Sequence, residues 1–423
     1  VTGRILIKGA EIIDPSLPEA GAVDILIEGG VIKRIGAAGC EADEVIDAQG
    51  LCVSPGLVDM HVHLRDPGQT QKEDILTGCE AAAAGGVTSL LAMANTVPPI
   101  DTPEGVAYVT EKAKGAKAHV YTAAAVSVGQ LGESPVDFEA LAKAGAAAFS
   151  DDGHYVKSAG LMAEAMKRAA ALLRPVISHC EEPDFVGGIM NEGEVSRALG
   201  VRGERAAAEE LGAAREAALS LSLGLPVHVA HVSCAGTIAI IRDAKRRGVK
   251  ITCETCPHYF SLDESELEAR DADYRMNPPL RTRADVEAVA AGLADGTVDI
   301  IVTDHAPHTA EEKKDFLKAP NGVVGLETSL AAGITYLVRP GILTLRELIG
   351  KMSAAPAKLL RIPAGALREG ACADLVVYDP HERWLVAPSL LHSRSHNTPY
   401  KGRYLYGKVR YTLCAGRVVY DGI

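Results

Sequence analysis

The sequence is short of basic charge. Against 55 Asp and Glu it sets only 43 Lys and Arg, a formal net charge of −12 at pH 7, whereas binding a polyanion relies on basic surface. Nucleic acid is excluded as a partner; small anions, which respond to local charge, are not. Long apolar runs are missing too. No stretch approaches the roughly 18 residues of a membrane-spanning helix, so no membrane partner is expected. The opening Val1-Thr2-Gly3-Arg4-Ile5 alternates like a strand and lacks a signal peptide's apolar block, which makes the expected location cytoplasmic. There is no cysteine framework either: the nine cysteines follow no pattern of spacings, and reduced, buried thiols are expected. The one close pair, Cys253 and Cys256, lies on a strand-like stretch that sends the two sulfurs to opposite faces, against a zinc clip or a redox pair.

What is present is apolar content of 47% over 423 residues, enough for one large domain with an accessory piece or for two to three smaller ones. Residues 1–54 read as short strands (4–7, 23–27, 31–35 and 51–54), with a hairpin signal at Gly29-Gly30. Residues 367–423 return to that style at 374–378, 409–413 and 417–420. Two β-rich ends predict one small β-sandwich domain built from both termini. The middle, 55–366, alternates short apolar strands with Ala-rich helical segments such as 158–173 and 206–223. Its candidate strands are 56–64, 87–95, 118–126, 146–150, 175–179, 226–232, 250–256 and 299–303. This α/β pattern fits a (β/α)8 TIM-type barrel, with a doubly wound sheet as the alternative, since spacing alone cannot show closure.

Polar residues at the strand ends favour the barrel. The first strand ends His61-Val62-His63-Leu64-Arg65-Asp66, and alternation sends residues 61 and 63 to one face. The second ends at Asn95, the fourth at Ser150-Asp151-Asp152-Gly153, the fifth at His179-Cys180-Glu181, the sixth at His231, and the eighth at Asp304-His305-Ala306-Pro307-His308. In a barrel these carboxyl ends share one mouth, where active sites lie. His61, His63 and Asp304 suit one metal ion, His179 and His231 a second, with a carboxylate to bridge them. Two Zn²⁺ ions about 3.5–4 Å apart share a hydroxide at neutral pH. That chemistry is hydrolytic attack on a carbonyl, with Asp304 moving the proton. By alternation His305 takes a packing role. Cys180 is expected to be an inert buried thiol, and His119, His154, His228 and His258 to be ordinary core or surface residues. The run Glu311-Glu312-Lys313-Lys314-Asp315 reads as a solvated loop or as a lid.

These motifs resemble the amidohydrolase superfamily, and within it the dihydroorotases of the bacterial long-chain, class I type. The resemblance spans the whole chain. It rests on His61 to Gly68, Phe149 to Gly153, His179-Cys180-Glu181, Asn277-Pro278-Pro279-Leu280 and Asp304 to His308. It implies reversible interconversion of N-carbamoyl-L-aspartate and L-dihydroorotate, a step of pyrimidine synthesis. It also implies zinc held by His61, His63, Asp152, His179, His231 and Asp304, two ions per subunit or one, with Asp152 chosen over Asp151 as the bridge. Asp304 is the implied general acid/base. Arg65, Asn95 and His308 are the implied carboxylate binders, joined in substrate binding by His63, Asn277, Asn321 and Gly322; Arg suits a planar carboxylate through paired hydrogen bonds. A homodimer and association with aspartate carbamoyltransferase are further implications.

One departure stands out. Many relatives bridge their metals with a carboxylated lysine on the fourth strand, which here contains none, and Lys157 reads as surface. The rival functions are another cyclic-amide hydrolase (dihydropyrimidinase, hydantoinase or allantoinase) and a non-catalytic scaffold for aspartate carbamoyltransferase.

Overall fold

The computed structural model describes residues 3–19 and 21–422; Val1 and Thr2 of the expected opening strand lie outside the described residues. The barrel strands are Leu57–Val62, Val87–Ala92, His119–Ala124, Ala148–Phe149, Ile177–Ser178, Val227–Val229, Ile251–Thr255 and Ile300–Ile301. Neighbours within each half run parallel. A parallel bridge from Phe149 to Val176 joins the halves, and another from Val62 to His305 closes the ring. Closure rules out the doubly wound sheet. Strands such as Val87–Ala92 are buried along their whole length, as expected where helices cover one face and the barrel interior the other.

Local chemistry sets the helix ends. Ser158 caps Ala159–Ala171 by accepting from Leu161 N at 3.2 Å. The helix Ala207–Leu223 stops at Gly224, which takes the left-handed conformation with φ 66°. No helix among the described residues is long and apolar enough to cross a membrane.

Both ends of the chain contribute to a single eight-stranded sheet, in which Leu375–Leu385 pairs with Cys52–Pro55 and Arg4–Ile12 pairs with Ala22–Glu28. A bridge from Val31 to Cys372 brings its far edge back toward the C-terminal strands. The sheet thereby folds round its own core of Ile7, Ile25, Ile27, Ile32, Val53, Leu375 and Leu413. Residues 393–400 leave this sheet and run to the barrel mouth. There Ser395 Oγ donates to Lys72 O at 2.6 Å, and Asn397 Oδ1 accepts from His308 N at 3.1 Å.

Barrel closure has a polar fastener. Asp59 Oδ1 accepts from His61 N and from Thr303 N, each at 3.2 Å, while Oδ2 accepts from Thr303 Oγ1 at 2.5 Å. Burial raises the Asp59 carboxyl to about 6, against the lowering effect of those hydrogen bonds. A carboxyl with a raised folded-state pKa favours the fold while protonated, and that contribution is lost as pH rises through the folded value. Stability is expected to fall between pH 3.8 and about 6, by on the order of 2 kcal/mol. Asp59→Asn should remove that slope in thermal melts run across the pH range; an unchanged slope assigns it elsewhere.

Candidate metal centre and substrate pocket

The barrel gathers its predicted ligands at one buried point. Asp152 Oδ1 lies 3.2 Å from His61 Nε2 and 3.4 Å from both His179 Nδ1 and His231 Nε2, while its Oδ2 is 3.4 Å from His63 Nε2. Asp304 Oδ1 completes the group, 2.9 Å from His63 Nε2 and 3.7 Å from His61 Nε2. Asp151 turns away and accepts from Val126 N at 2.7 Å and Ser127 N at 3.1 Å. Lys157 is exposed, so the short arm of Asp152 stands where the sequence offers no lysine.

Three of the four imidazoles have their outer nitrogen engaged, while His231 Nδ1 is buried without a hydrogen-bond partner. His61 Nδ1 contacts Glu254 Oε1 at 2.5 Å, His63 Nδ1 contacts Asn95 Oδ1 at 2.7 Å, and His179 Nε2 contacts Glu181 Oε2 at 2.7 Å. Assigning the proton to those outer nitrogens leaves a lone pair on each inner one, the usual arrangement behind a metal-bound imidazole. His61 Nε2 and Asp152 Oδ1 are buried without any hydrogen-bond partner. Unpaired buried polar atoms are costly, and two facing one point fit a cation between them. The groups His61, His63, Asp304 and His61, Asp152, His231 each bring their ligand atoms within 4.8 Å of one another. The donor set of imidazole and carboxylate suits a divalent transition metal.

Against the lowering effect of burial, Asp152 and Glu254 push His61 well above the ordinary imidazole value, and Glu181 and Asp152 push His179 up to about 10. The cluster therefore draws positive charge, whether as protons on these rings or as a cation between them. Burial works to raise Asp152, but the neighbouring His61, His179 and His231 hold it well below the ordinary carboxylate range. Burial likewise opposes ionisation of Asp304, and the His63 hydrogen bond with the surrounding imidazoles brings it down to about 2. Both carboxylates are charged at neutral pH. Backbone strain collects here too: Arg65 (φ 58°), His231 (φ 34°) and Asp304 (φ 48°) are three of the eight described non-glycine residues with positive φ. Each such placement costs about 1–3 kcal/mol and persists only where surrounding structure enforces it.

A group of basic side chains lies beside this cluster, one of them, Lys72, paired with Glu312 Oε1 at 2.9 Å. Arg65 Nη2 is 3.3 Å from His308 Nε2, and Lys72 Nζ is 3.3 Å from His308 Nδ1. Burial lowers Arg65 to about 10, so it stays charged at neutral pH. Burial, then the charges of Arg65, Lys313 and Lys72, press His308 down to about 2, which keeps it neutral. His308 Nε2 meets Asn321 O at 2.9 Å. Gly322 follows at φ 138°, where a Cβ would stand 2.7 Å from Ala306 O and 2.9 Å from His308 Nε2. Asn277 donates to Glu181 Oε2 at 2.5 Å. Asn95 is half-buried, with its Oδ1 on His63 Nδ1 and its Nδ2 beside Gly153.

Some sequence expectations need correction. His305 does more than pack: its Nε2 meets Glu73 Oε2 at 3.3 Å and its Nδ1 accepts from Gly325 N at 3.2 Å. The run 311–315 is not uniformly solvated. Lys313 is buried and donates to the carbonyls of Ala272, Arg275 and Pro320 at 3.0, 3.1 and 2.9 Å. His228 is no bystander, because its Nε2 contacts Glu254 Oε2 at 3.1 Å. Cys180 is the inert thiol expected, buried with Sγ against Ser178 O at 3.6 Å. Glu254 itself goes unnoticed in a search for terminal His and Asp; the available signal is a lone charge inside the apolar strand Ile251–Thr255. Lys72 and Asn397 carry no comparable signal.

A family model described as Dihydro-orotase-like matches residues 50–236. A dihydroorotase of Citrifermentans bemidjiense is 48% identical over 423 residues, covering 99% of this chain and 100% of the relative. One of Acetivibrio thermocellus is 48% identical over 419 residues, covering 98% of both. The chain belongs to the dihydroorotase family. Solved structures similar to this family member include an L-hydantoinase (dihydropyrimidinase) from Arthrobacter aurescens, with TM-score 0.88 at 26% identity, covering 99% of this chain and 96% of that one. A D-hydantoinase (dihydropyrimidinase) from Thermus sp. has TM-score 0.83 at 29% identity, covering 98% and 94%. Those likenesses bear out the barrel with its terminal sheet.

Burial opposes the ionisation of Glu254, and His61 and His228 outweigh it, lowering the carboxyl to about 2. A charged, oriented partner on His61 Nδ1 strengthens Nε2 as a donor to metal. Glu254→Gln is expected to weaken divalent-metal affinity about 10–100-fold, measured by competition with a chelator, with the circular dichroism spectrum unchanged.

Proposed function

We propose that this chain is a metal-dependent dihydroorotase, interconverting N-carbamoyl-L-aspartate and L-dihydroorotate. The observation that carries the reading is a group of basic side chains around Arg65 abutting a buried cluster of imidazoles and carboxylates. Near-full-length identity of 48% to dihydroorotases supports it. In this reading His61, His63 and Asp304 would hold one zinc ion and His179 and His231 a second, with Asp152 as the carboxylate available to both.

Bound zinc supplies Lewis acidity, polarising the amide carbonyl and acidifying water near neutral pH. The chain's residues do the rest. Arg65, Asn95 and His308 orient the substrate carboxylate, with the charged guanidinium fixing its plane. His63 and Asn277 line the pocket, and the Asn321-Gly322 turn meets the ring, its close approach allowed by the missing Cβ at Gly322. Asp304, ionised and facing His61 and His63, accepts a proton from the attacking water and returns it to the ring nitrogen as the amide opens. Ring closure runs the same transfers backward. The homodimer, the cytoplasmic location and association with aspartate carbamoyltransferase belong to the same proposal.

The test is spectrophotometric. Loss of L-dihydroorotate absorbance is expected, with hydantoin and allantoin turned over poorly; turnover of hydantoin without dihydroorotate reverses the assignment in favour of a hydantoinase. Arg65→Met should raise KM and lower kcat together while bound zinc stays constant, because it removes substrate contacts and no ligand. Asp152→Ala should lower bound zinc by at least one per chain in elemental analysis; full retention removes Asp152 from the bridge.

A further inference from the structure

The foot of the barrel holds a cavity that the proposed reaction does not use. It opens among the segments leading into Ile177–Ser178, Val227–Val229, Ile251–Thr255 and Ile300–Ile301, so it lies at the end remote from the mouth. The helix Ala355–Leu360 supplies one wall. Its volume is about 620 Å³, within the roughly 300–1,000 Å³ typical of small-molecule sites.

The lining divides by chemistry. Leu173, Val176, Pro226, Val249, Ile251 and Leu359 give apolar walls. Leu173 is 56% exposed, which leaves part of that apolar surface open to solvent. His228 and Thr252 also line the cavity, and their polar atoms satisfy each other, Nδ1 to Oγ1 at 2.8 Å. Around these walls stand four cations: Arg174, Lys250, Lys358 and Arg361. Asp299 is the one carboxylate in the lining, and it is already engaged. Both its oxygens lie 2.7 Å from Lys245 Nζ, and Oδ2 accepts from Cys253 N at 2.9 Å. Arg174 Nε donates to Ala146 O at 2.9 Å, which orients the guanidinium. The side chains of Lys250, Lys358 and Arg361 make no hydrogen bond or ion pair with any described residue. Such a gathering runs against a chain whose net charge is −12, and like charges that share one cavity repel until an anion joins them.

We propose that this cavity is a second ligand site, distinct from the substrate pocket at the mouth, for a small oxyanion with an apolar body. The cations select the charge, and an oriented guanidinium suits an oxyanion through paired hydrogen bonds. The apolar walls take the body, whose burial adds the hydrophobic part of the affinity. Neither half accounts for the lining alone: a bare anion leaves the walls wet, and a neutral apolar ligand leaves the cations without a counter-charge.

The test titrates phenyl phosphate into the full chain, isotopically labelled on its Ile, Leu and Val methyl groups. Saturable shifts of the Ile251 and Leu359 methyl signals are expected. Inorganic phosphate and phenol should each bind at least about tenfold more weakly than phenyl phosphate, since each lacks one half of the match. The double variant Lys250→Glu with Lys358→Glu should weaken phenyl phosphate at least about tenfold in calorimetric titration. Both side chains are exposed and unpaired, so its melting temperature should stay close to that of the unaltered protein. Four results would each overturn the site: unmoved Ile251 and Leu359 signals, shifts confined to Val62 and Leu64 at the mouth, equal affinity in a folded double variant, or inorganic phosphate binding as tightly as phenyl phosphate. No readout is turnover, so this site and the dihydroorotase reading fail separately.

Discussion

Four imidazoles share the barrel mouth at ring-centroid separations of 5.4 Å (His61 to His63), 5.3 Å (His61 to His231) and 4.7 Å (His179 to His231). Such crowding in a dry site holds only if each ring knows which nitrogen to turn inward. Glu254, Asn95 and Glu181 make that choice by taking the outer nitrogens of His61, His63 and His179. Because a ring hydrogen-bonded on one side is fixed in tautomer and orientation, the inner lone pairs converge on Asp152. Everything catalytic follows from that convergence.

The surroundings raise the stakes of this arrangement. Glu254 is fully buried and shared between His61 and His228, and Glu73 is shared between His305 and the C-terminal segment through Ser393 Oγ at 2.5 Å. A buried carboxylate survives only when hydrogen-bonded or paired. The mouth therefore works as one network in which removing a single partner leaves a charge stranded. The strained backbone at Arg65, His231 and Asp304 belongs to the same economy, since rigid strands and dense hydrogen bonding hold conformations that isolated peptides avoid.

Charge distribution explains how an acidic protein accommodates an anionic substrate. The net charge of −12 belongs to the chain as a whole, whereas Arg65, Lys72 and Lys313 gather round His308, with Glu312 paired to Lys72. Local fields in a desolvated pocket outweigh distant, solvent-screened charges. Lys313 illustrates the limit of reading charge along a sequence. It sits in a run of charged residues that looks solvated, yet three backbone carbonyls bury its ammonium.

The sequence by itself determined the alternation of strands and helices, the β-rich ends, and the His, Asp and Arg residues at strand ends. Those signals are local, because strand periodicity fixes which neighbours share a face and apolar runs mark what must be buried. Tertiary structure alone decided that the strands close, through Val62 to His305 and Phe149 to Val176. It alone turned Asp152 toward the imidazoles and Asp151 toward Val126 and Ser127, recruited Glu254, Lys72 and Asn397, and brought His119 to Cys372 and Asp374 from the far end of the chain. Contacts between residues hundreds of positions apart leave no periodic trace; they exist only once packing has set the distances.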